Sequence, residues 1–277
     1  GDYGALIDFP RLQRERRARA QLMMEQYNLD ALLLMQPPNV RYVGIGPQAT
    51  FYRYVVFPSG GEPTLLEAGM SQKVVAEMIP NVLPGMNSKF SISLPAGLAV
   101  TNRPAWEYQL KRWIAQIKQE LKDSGCLGAR VGVDFTGEIV DALREAGINV
   151  TTEGAAAMTR ARAIKTRDEV ELLRTGCAIV EGGFQRAVET IRPGVTEQQV
   201  WAAIAERVFS LGASGLEGGH VSSGPHSYPI ANAISDRIIR PGDIVLIDIY
   251  EVAYYGYMTC YYRNFSCGKP TQKQKDA

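Results

Sequence analysis

The sequence predicts an α/β layered domain in its first half and a second domain after it. Three observations carry this expectation. Strand-like and helix-like segments alternate through the first half, which is the pattern of a layered α/β domain. The chain has 277 residues, against the roughly 150 typical of one domain. A small-residue stretch from Ala155 to Ala163 reads as the junction, giving expected domains over 1–157 and 158–277.

In the first half, Arg11 to Tyr27 reads as an amphipathic helix. Leu12, Ala18, Leu22, Met23 and Tyr27 fall on the expected inner face, and Arg14, Arg16, Arg17 and Arg19 on a solvated one. Ala31 to Met35 is a continuous apolar run suited to a buried strand, and Pro37-Pro38-Asn39 is expected to stop it. Further strands are expected at Arg53 to Phe57, Thr64 to Glu67 and Arg130 to Asp134. A helix from near Pro104 to Asp123 has Asn102 as its cap, and another spans Glu138 to Ala146 with Gly147 just past its end. Gly44-Ile45-Gly46 is followed by Pro47 and lacks a third glycine, so it is not a nucleotide loop.

In the second half, Thr166 with Glu169 forms a capping-box pattern that opens a helix from Arg167 to about Ile191. Pro193-Gly194 breaks the chain. Thr196 and Glu197 start another helix that turns Val200, Ile204, Val208 and Phe209 inward and ends at Gly212. Gly218 to Pro225 reads as a strand entering a turn. Ile244 to Ile249 and Gly256 to Phe265 read as two strands of a hairpin.

Composition narrows the function classes. Thirty basic residues face 29 acidic ones, for a net charge of +1, so there is no electrostatic footprint for nucleic acid or an anionic membrane. No apolar run approaches the roughly 18 residues that span a bilayer, and the start of the chain has no signal-peptide pattern. The four cysteines (Cys126, Cys177, Cys260, Cys267) form neither a disulfide framework nor a CxxC zinc pair. The expectation is a cytoplasmic protein.

Asp248 is the most informative residue. A carboxylate inside an apolar strand costs several kcal/mol unless it is paired, hydrogen-bonded or metal-bound. Strand alternation puts Asp248 and Tyr250 on one face, and Met258, Cys260, Tyr262 and Asn264 on one face of the returning strand. Pairing in the obvious register yields a patch of Asp248, Tyr250, Cys260 and Tyr262. Two readings stay open: a structural carboxylate satisfied by backbone or by Arg263, and a site. The hairpin tyrosines likewise read either as half-buried strand residues or as a cage for a cation, with Tyr250 and Tyr262 flanking Asp248. Cys260 has no identifiable base beside it, so it reads as a packed thiol rather than a nucleophile. Ser222 and Ser223 do not form a nucleophile elbow.

The order of motifs resembles the creatinase, aminopeptidase P and prolidase superfamily, the pita-bread enzymes. The resemblance runs along nearly the whole chain. It is carried by Asp30-Ala31-Leu32-Leu33-Leu34, Asn39-Val40-Arg41-Tyr42-Val43-Gly44, Arg162-Ala163-Ile164-Lys165, Asp168-Glu169 and Ile191-Arg192-Pro193-Gly194-Val195-Thr196-Glu197. Ser223-Gly224-Pro225, Pro241-Gly242-Asp243, Gly256-Tyr257 and Arg263-Asn264-Phe265 continue it. Within the superfamily the Ser-Gly-Pro segment and the long hairpin look closest to the dimethylsulfoniopropionate-lyase branch.

The resemblance implies an α/β creatinase-type amino-terminal domain, then the first part of an α+β pita-bread catalytic domain that is incomplete at its carboxy-terminal end. It also implies a homodimer acting on a small-molecule substrate. Family members mostly hold two divalent metals between two hairpin aspartates, a histidine and two glutamates. Here Asp248 takes the first aspartate position, the second falls on Cys260, and a further lyase-branch carboxylate falls on Tyr250. The histidine many relatives place after Ser-Gly-Pro falls on Ala231, with His226 nearby. A divalent metal (manganese, zinc or iron) thus has Asp248 as a ligand and Cys260 as a second, in an incomplete set that leaves the cofactor undecided.

The function expected is hydrolysis of a C–N bond in a small substrate, a cationic one included, with reduced or no metal dependence. By analogy with creatinase, Asp248 orients the substrate and His226 shuttles protons, while Tyr250, Cys260 and Tyr262 line the site; His220 is the lesser candidate histidine. The alternatives are a lyase on a sulfonium zwitterion and a catalytically inactive pita-bread binding domain.

Overall fold

In the computed structural model, residues 7–44, 53–67, 87–229 and 233–276 are described. Ile7–Asp168 makes one compact unit, and the chain from Glu169 onward makes another.

The first unit is built on a six-stranded sheet with strand order β4-β3-β2-β1-β5-β6. Its strands are β1 (Ala31–Leu34), β2 (Arg53–Pro58), β3 (Thr64–Glu67), β4 (Asn87–Phe90), β5 (Val131–Val133) and β6 (Val150–Thr151). β1 runs antiparallel to β2 and parallel to β5, so it lies in the interior of the sheet. All four of its residues are buried, as a strand covered on both faces requires. Ala31 and Leu33 pack with Trp106, Trp113, Ile117 and Leu121 of the long helix Arg103–Asp123. Leu32 and Leu34 pack on the other face, with Ala20, Met24, Ala157 and Met158. That long helix is capped as the sequence leads one to expect, Asn102 accepting from the Ala105 N–H at 3.2 Å.

The first helix, α1 (Phe9–Gln26), buries a different face from the one its apolar residues suggest. Leu12, Gln13, Arg16, Arg17, Ala20 and Met24 are buried, whereas Ala18 is exposed and Leu22 is 50% exposed. The arginines are therefore not all on a solvated face. Arg16 lies over the Tyr42 ring, and Arg17 pairs with Glu62 at 2.6 Å and donates to the Val43 carbonyl. Long side chains can bury their stems and still find charge partners at the tip, which apolar periodicity does not register.

A proline-rich and an alanine-rich stretch each form a helix that the sequence reading did not include. Pro37-Pro38 ends β1 and at once opens α2 (Pro37–Val43), because a missing N–H is harmless in the first helical turn. Asp134 fastens this start, accepting from Met35 N at 2.8 Å, Gln36 N at 3.1 Å and Asn39 Nδ2 at 2.9 Å. The stretch expected as a junction is a helix, Glu153–Ala163, whose Ala157, Met158 and Ala161 are buried in the first unit. Its small residues serve close packing: a Cβ on Gly154 would lie 2.5 Å from the Gly132 carbonyl carbon. The short helices Gly97–Thr101 and Glu138–Glu145 complete this unit in chain order as α3 and α5, with the long helix as α4 and Glu153–Ala163 as α6.

The second unit has helices α7 (Arg167–Thr190) and α8 (Glu197–Ser210), and then an antiparallel sheet in the order β7-β8-β9. Its strands are β7 (Gly215–Ser223), β8 (Ile244–Tyr254) and β9 (Tyr257–Ser266); a short α9 (Gln272–Lys275) follows. A full capping box, Thr196 with Gln199, starts α8. Val245, Ile247 and Ile249 are fully buried, and the helix side of the sheet carries Phe184 of α7 against Tyr261 and Phe265 of β9. Among the described residues no helix is long and apolar enough to cross a membrane.

Candidate active site

The sheet register decides which side chains meet. In β8 the odd residues from Val245 to Ile249 face the helices, which leaves Asp248 and Tyr250 on the opposite, open face. Asp248 pairs with Tyr262 on β9 and with His220 on β7. The Cys260 thiol donates to Asp248 Oδ1 at 3.8 Å, so Asp248, Tyr250, Cys260 and Tyr262 come together on one face. A β-bulge follows directly. The register shifts between Ile249 and Val252, and Glu251 adopts φ 58°. The extra residue brings Val252 and Tyr254 back to the buried side, so the hairpin keeps one apolar face along its length.

Exposure grades across this face. Tyr262 is 63% exposed, Cys260 is exposed, and Asp248 and Tyr250 are half-buried. Partial desolvation of the sulfur and the Asp248 carboxylate together push the Cys260 thiol pKa up, which disfavours the nucleophilic thiolate. Arg263 is not the partner of Asp248. It projects from the helix side of β9, lies over the Tyr261 and Phe184 rings and reaches Glu181 at 3.4 Å.

The histidines part company. His226 sits in the short 3-10 turn Gly224–Ser227 after β7, with Nδ1 3.4 Å from both Glu197 Oε1 and Ser235 Oγ. It is tied to a buried network on α8, not gathered with Asp248. His220 lies directly across from Asp248 on the neighbouring strand, and its ring packs against Tyr250 with centroids 5.3 Å apart. Ala231, the position compared with a family histidine, lies outside the described residues.

The network around Glu197 escaped sequence reading. Glu197 is fully buried and accepts from Ser223 N and Oγ, both at 2.8 Å, and from Ser235 N at 3.2 Å and Oγ at 2.5 Å. Burial alone would raise its pKa, but the donors from Ser235 and Ser223 outweigh it and hold the carboxylate below its ordinary range. Arg237 extends the network, donating to Ser223 Oγ and to Asp243 Oδ2 at 2.7 Å. It clamps the Ser-Gly-Pro turn to the start of α8. The available signal was an acidic residue in a helix's first turn, which usually means only a favourable helix dipole.

Comparison with known proteins adds the following. Residues 171–277 match the family model "Metallopeptidase family M24". A probable dipeptidase PepE of Mycobacterium bovis is 36% identical over 113 residues, covering 41% of this chain and 30% of that protein. A Xaa-Pro dipeptidase of Pyrococcus furiosus is 31% identical over 121 residues, covering 42% of this chain and 33% of that protein. The matches thus span about a third of these curated relatives. Among solved structures, a Xaa-Pro dipeptidase from Bacillus anthracis superposes with a TM-score of 0.72 at 21% identity, over 95% of this chain and 68% of that one. The prolidase from Pyrococcus furiosus gives 0.68 at 20% identity, over 92% and 67%. These likenesses establish the pita-bread fold, and the family match supports M24 for residues 171–277.

Proposed function

We propose that this chain is part of an M24-type hydrolase that cleaves the amide bond of a dipeptide or a similarly small peptide. The observation that carries the proposal is Asp248, held on the open face of the β7-β8-β9 sheet inside the stretch that matches the family model. The relatives' names, dipeptidase and Xaa-Pro dipeptidase, indicate the substrate class.

The family name implies a metal. Among the described residues no group of three or more His, Cys, Asp or Glu side chains is placed to hold one. Asp248 has the Cys260 thiol beside it in the place of a second carboxylate. Among the described residues, one carboxylate and one thiol are too few donors to fit a metal centre, and no step is routed through one. What the chain's own residues offer is a carboxylate with aromatic neighbours, Tyr250 and Tyr262, suited to holding the cationic amino end of a peptide. That arrangement also supports the finer reading of a cationic substrate. Neither the lyase reading nor the inactive-domain reading gains support from the relatives' names.

The test is hydrolysis of a panel of dipeptides, Xaa-Pro included, by protein made from the complete reading frame, with and without added manganese, zinc or iron. Turnover that falls at least a hundredfold in Asp248→Asn is expected, as for removal of a charged group that holds the substrate. Absence of turnover on every dipeptide under every metal condition would overturn the proposal.

A further inference from the structure

We propose that His220 is a substrate-binding residue of the Asp248 face, taking the carbonyl oxygen next to the amino group that Asp248 holds; the inference rests on the peptide-hydrolase reading. Three features of the sheet converge on it. His220 and Asp248 are direct partners across β7 and β8, and neighbouring strands run only about 4.8 Å apart. The flanking residues of β7 point the other way: Val221 is fully buried on the helix side, and a Cβ on Gly219 would lie 2.1 Å from the Trp201 ring. The imidazole therefore projects onto the same face as Asp248.

The ring is also held in place. A Cβ on Gly218 would lie 2.0 Å from Tyr250 Cε2, so only glycine lets the tyrosine lie across β7 and meet His220. Finally, His220 Nδ1 is enclosed and has no hydrogen-bond partner among the described residues. A buried polar atom without a partner is uncommon in native proteins and calls for a ligand or a water. A free amino terminus and its own carbonyl are adjacent groups of opposite hydrogen-bonding character. A carboxylate and an imidazole on adjacent strands match that pair. The ligand class is thus an unblocked amino-terminal residue, which a peptide blocked at its amino end does not provide.

His226→Asn and His220→Asn each remove one set of imidazole signals, which assigns the ring signals of these two histidines in NMR spectra of the protein. The probe is L-alaninamide, which carries a free amino group and an amide carbonyl, with N-acetyl-L-alaninamide as control. L-alaninamide is expected to shift the His220 ring signals and leave those of His226 in place, and the acetylated control to shift neither. Unmoved His220 signals at saturating L-alaninamide, in protein that hydrolyses dipeptides, would overturn the inference and leave the proposed function standing. Shifted signals in protein that hydrolyses nothing would do the reverse. In an active protein, His220→Ala is expected to raise KM about tenfold with little change in kcat, and His220→Gln to restore part of it, as for one lost hydrogen bond. A purely structural histidine would lower the melting temperature and leave KM unmoved.

Discussion

Replacing Glu197 by glutamine keeps the shape of a fully buried side chain and removes its charge. The carboxylate accepts hydrogen bonds through both oxygens: Oε1 takes Ser223 N and Oγ, Oε2 takes Ser235 N and Oγ. A glutamine has one oxygen, so one pair of donors faces an NH2 group. The serine hydroxyl can rotate and accept, but the Ser235 N–H cannot. One orphaned backbone donor costs about 1–3 kcal/mol, and the remaining bonds weaken because they are no longer charge-assisted. The expected loss is about 2 kcal/mol, or roughly 9 °C in melting temperature for a unit of about 110 residues. Thermal unfolding followed by circular dichroism at pH 7 reads it directly. The pH dependence adds a second measurement. Because the folded state holds the Glu197 pKa down, its contribution to stability is present above the unfolded carboxylate value and is lost as pH falls through the lowered folded value. The parent should therefore lose more stability on acidification than Glu197→Gln, and the two curves should converge at low pH. A variant as stable as the parent at pH 7, with an unchanged acid profile, would refute the account of this network.

Other outcomes follow from close approaches and pairs. Gly154→Ala puts a Cβ 2.6 Å from Val133 N, against backbone that cannot swing aside, and should cost about 2 kcal/mol or more in thermal unfolding. Asp168, 1% exposed, accepts from Arg11 Nε at 2.8 Å and NH2 at 2.7 Å; Asp168→Asn should cost about 1.5–3 kcal/mol in denaturant unfolding. The Arg11 bonds hold the Asp168 pKa down, so this stabilisation too should fade as pH falls through the carboxylate range. Gly218→Ala should push the Tyr250 ring off His220, seen as a changed ring-current shift of the His220 protons with Asp248 left in place.

Much of the fold was legible because it rests on local rules. The apolar run Ala31–Leu34 suited a strand buried on both sides, and Asn102 and Thr196 marked their helix starts through the side-chain oxygens they carry. The Asp248, Tyr250, Cys260 and Tyr262 patch followed from period-two alternation, because the bulge that resets the period falls after Tyr250 and leaves those four on one side. Alternation could not anticipate the bulge, which arises where Glu251 takes a positive φ to keep Val252 and Tyr254 against the helices. The buried face of α1 was misread because Arg16 and Arg17 find a ring and a carboxylate contributed by segments far along the chain.

The sequence by itself determined the strand and helix succession, the hairpin and the isolated carboxylate at Asp248, since each depends on neighbours within a few residues. Only the tertiary structure decided which histidine stands beside that carboxylate. His226 is close in sequence to the Ser-Gly-Pro turn and is drawn with it to Glu197, whereas His220 reaches Asp248 through strand pairing between segments that are remote in sequence. Pairing register depends on how two distant strands bury a common face against the helices, and no local pattern encodes it.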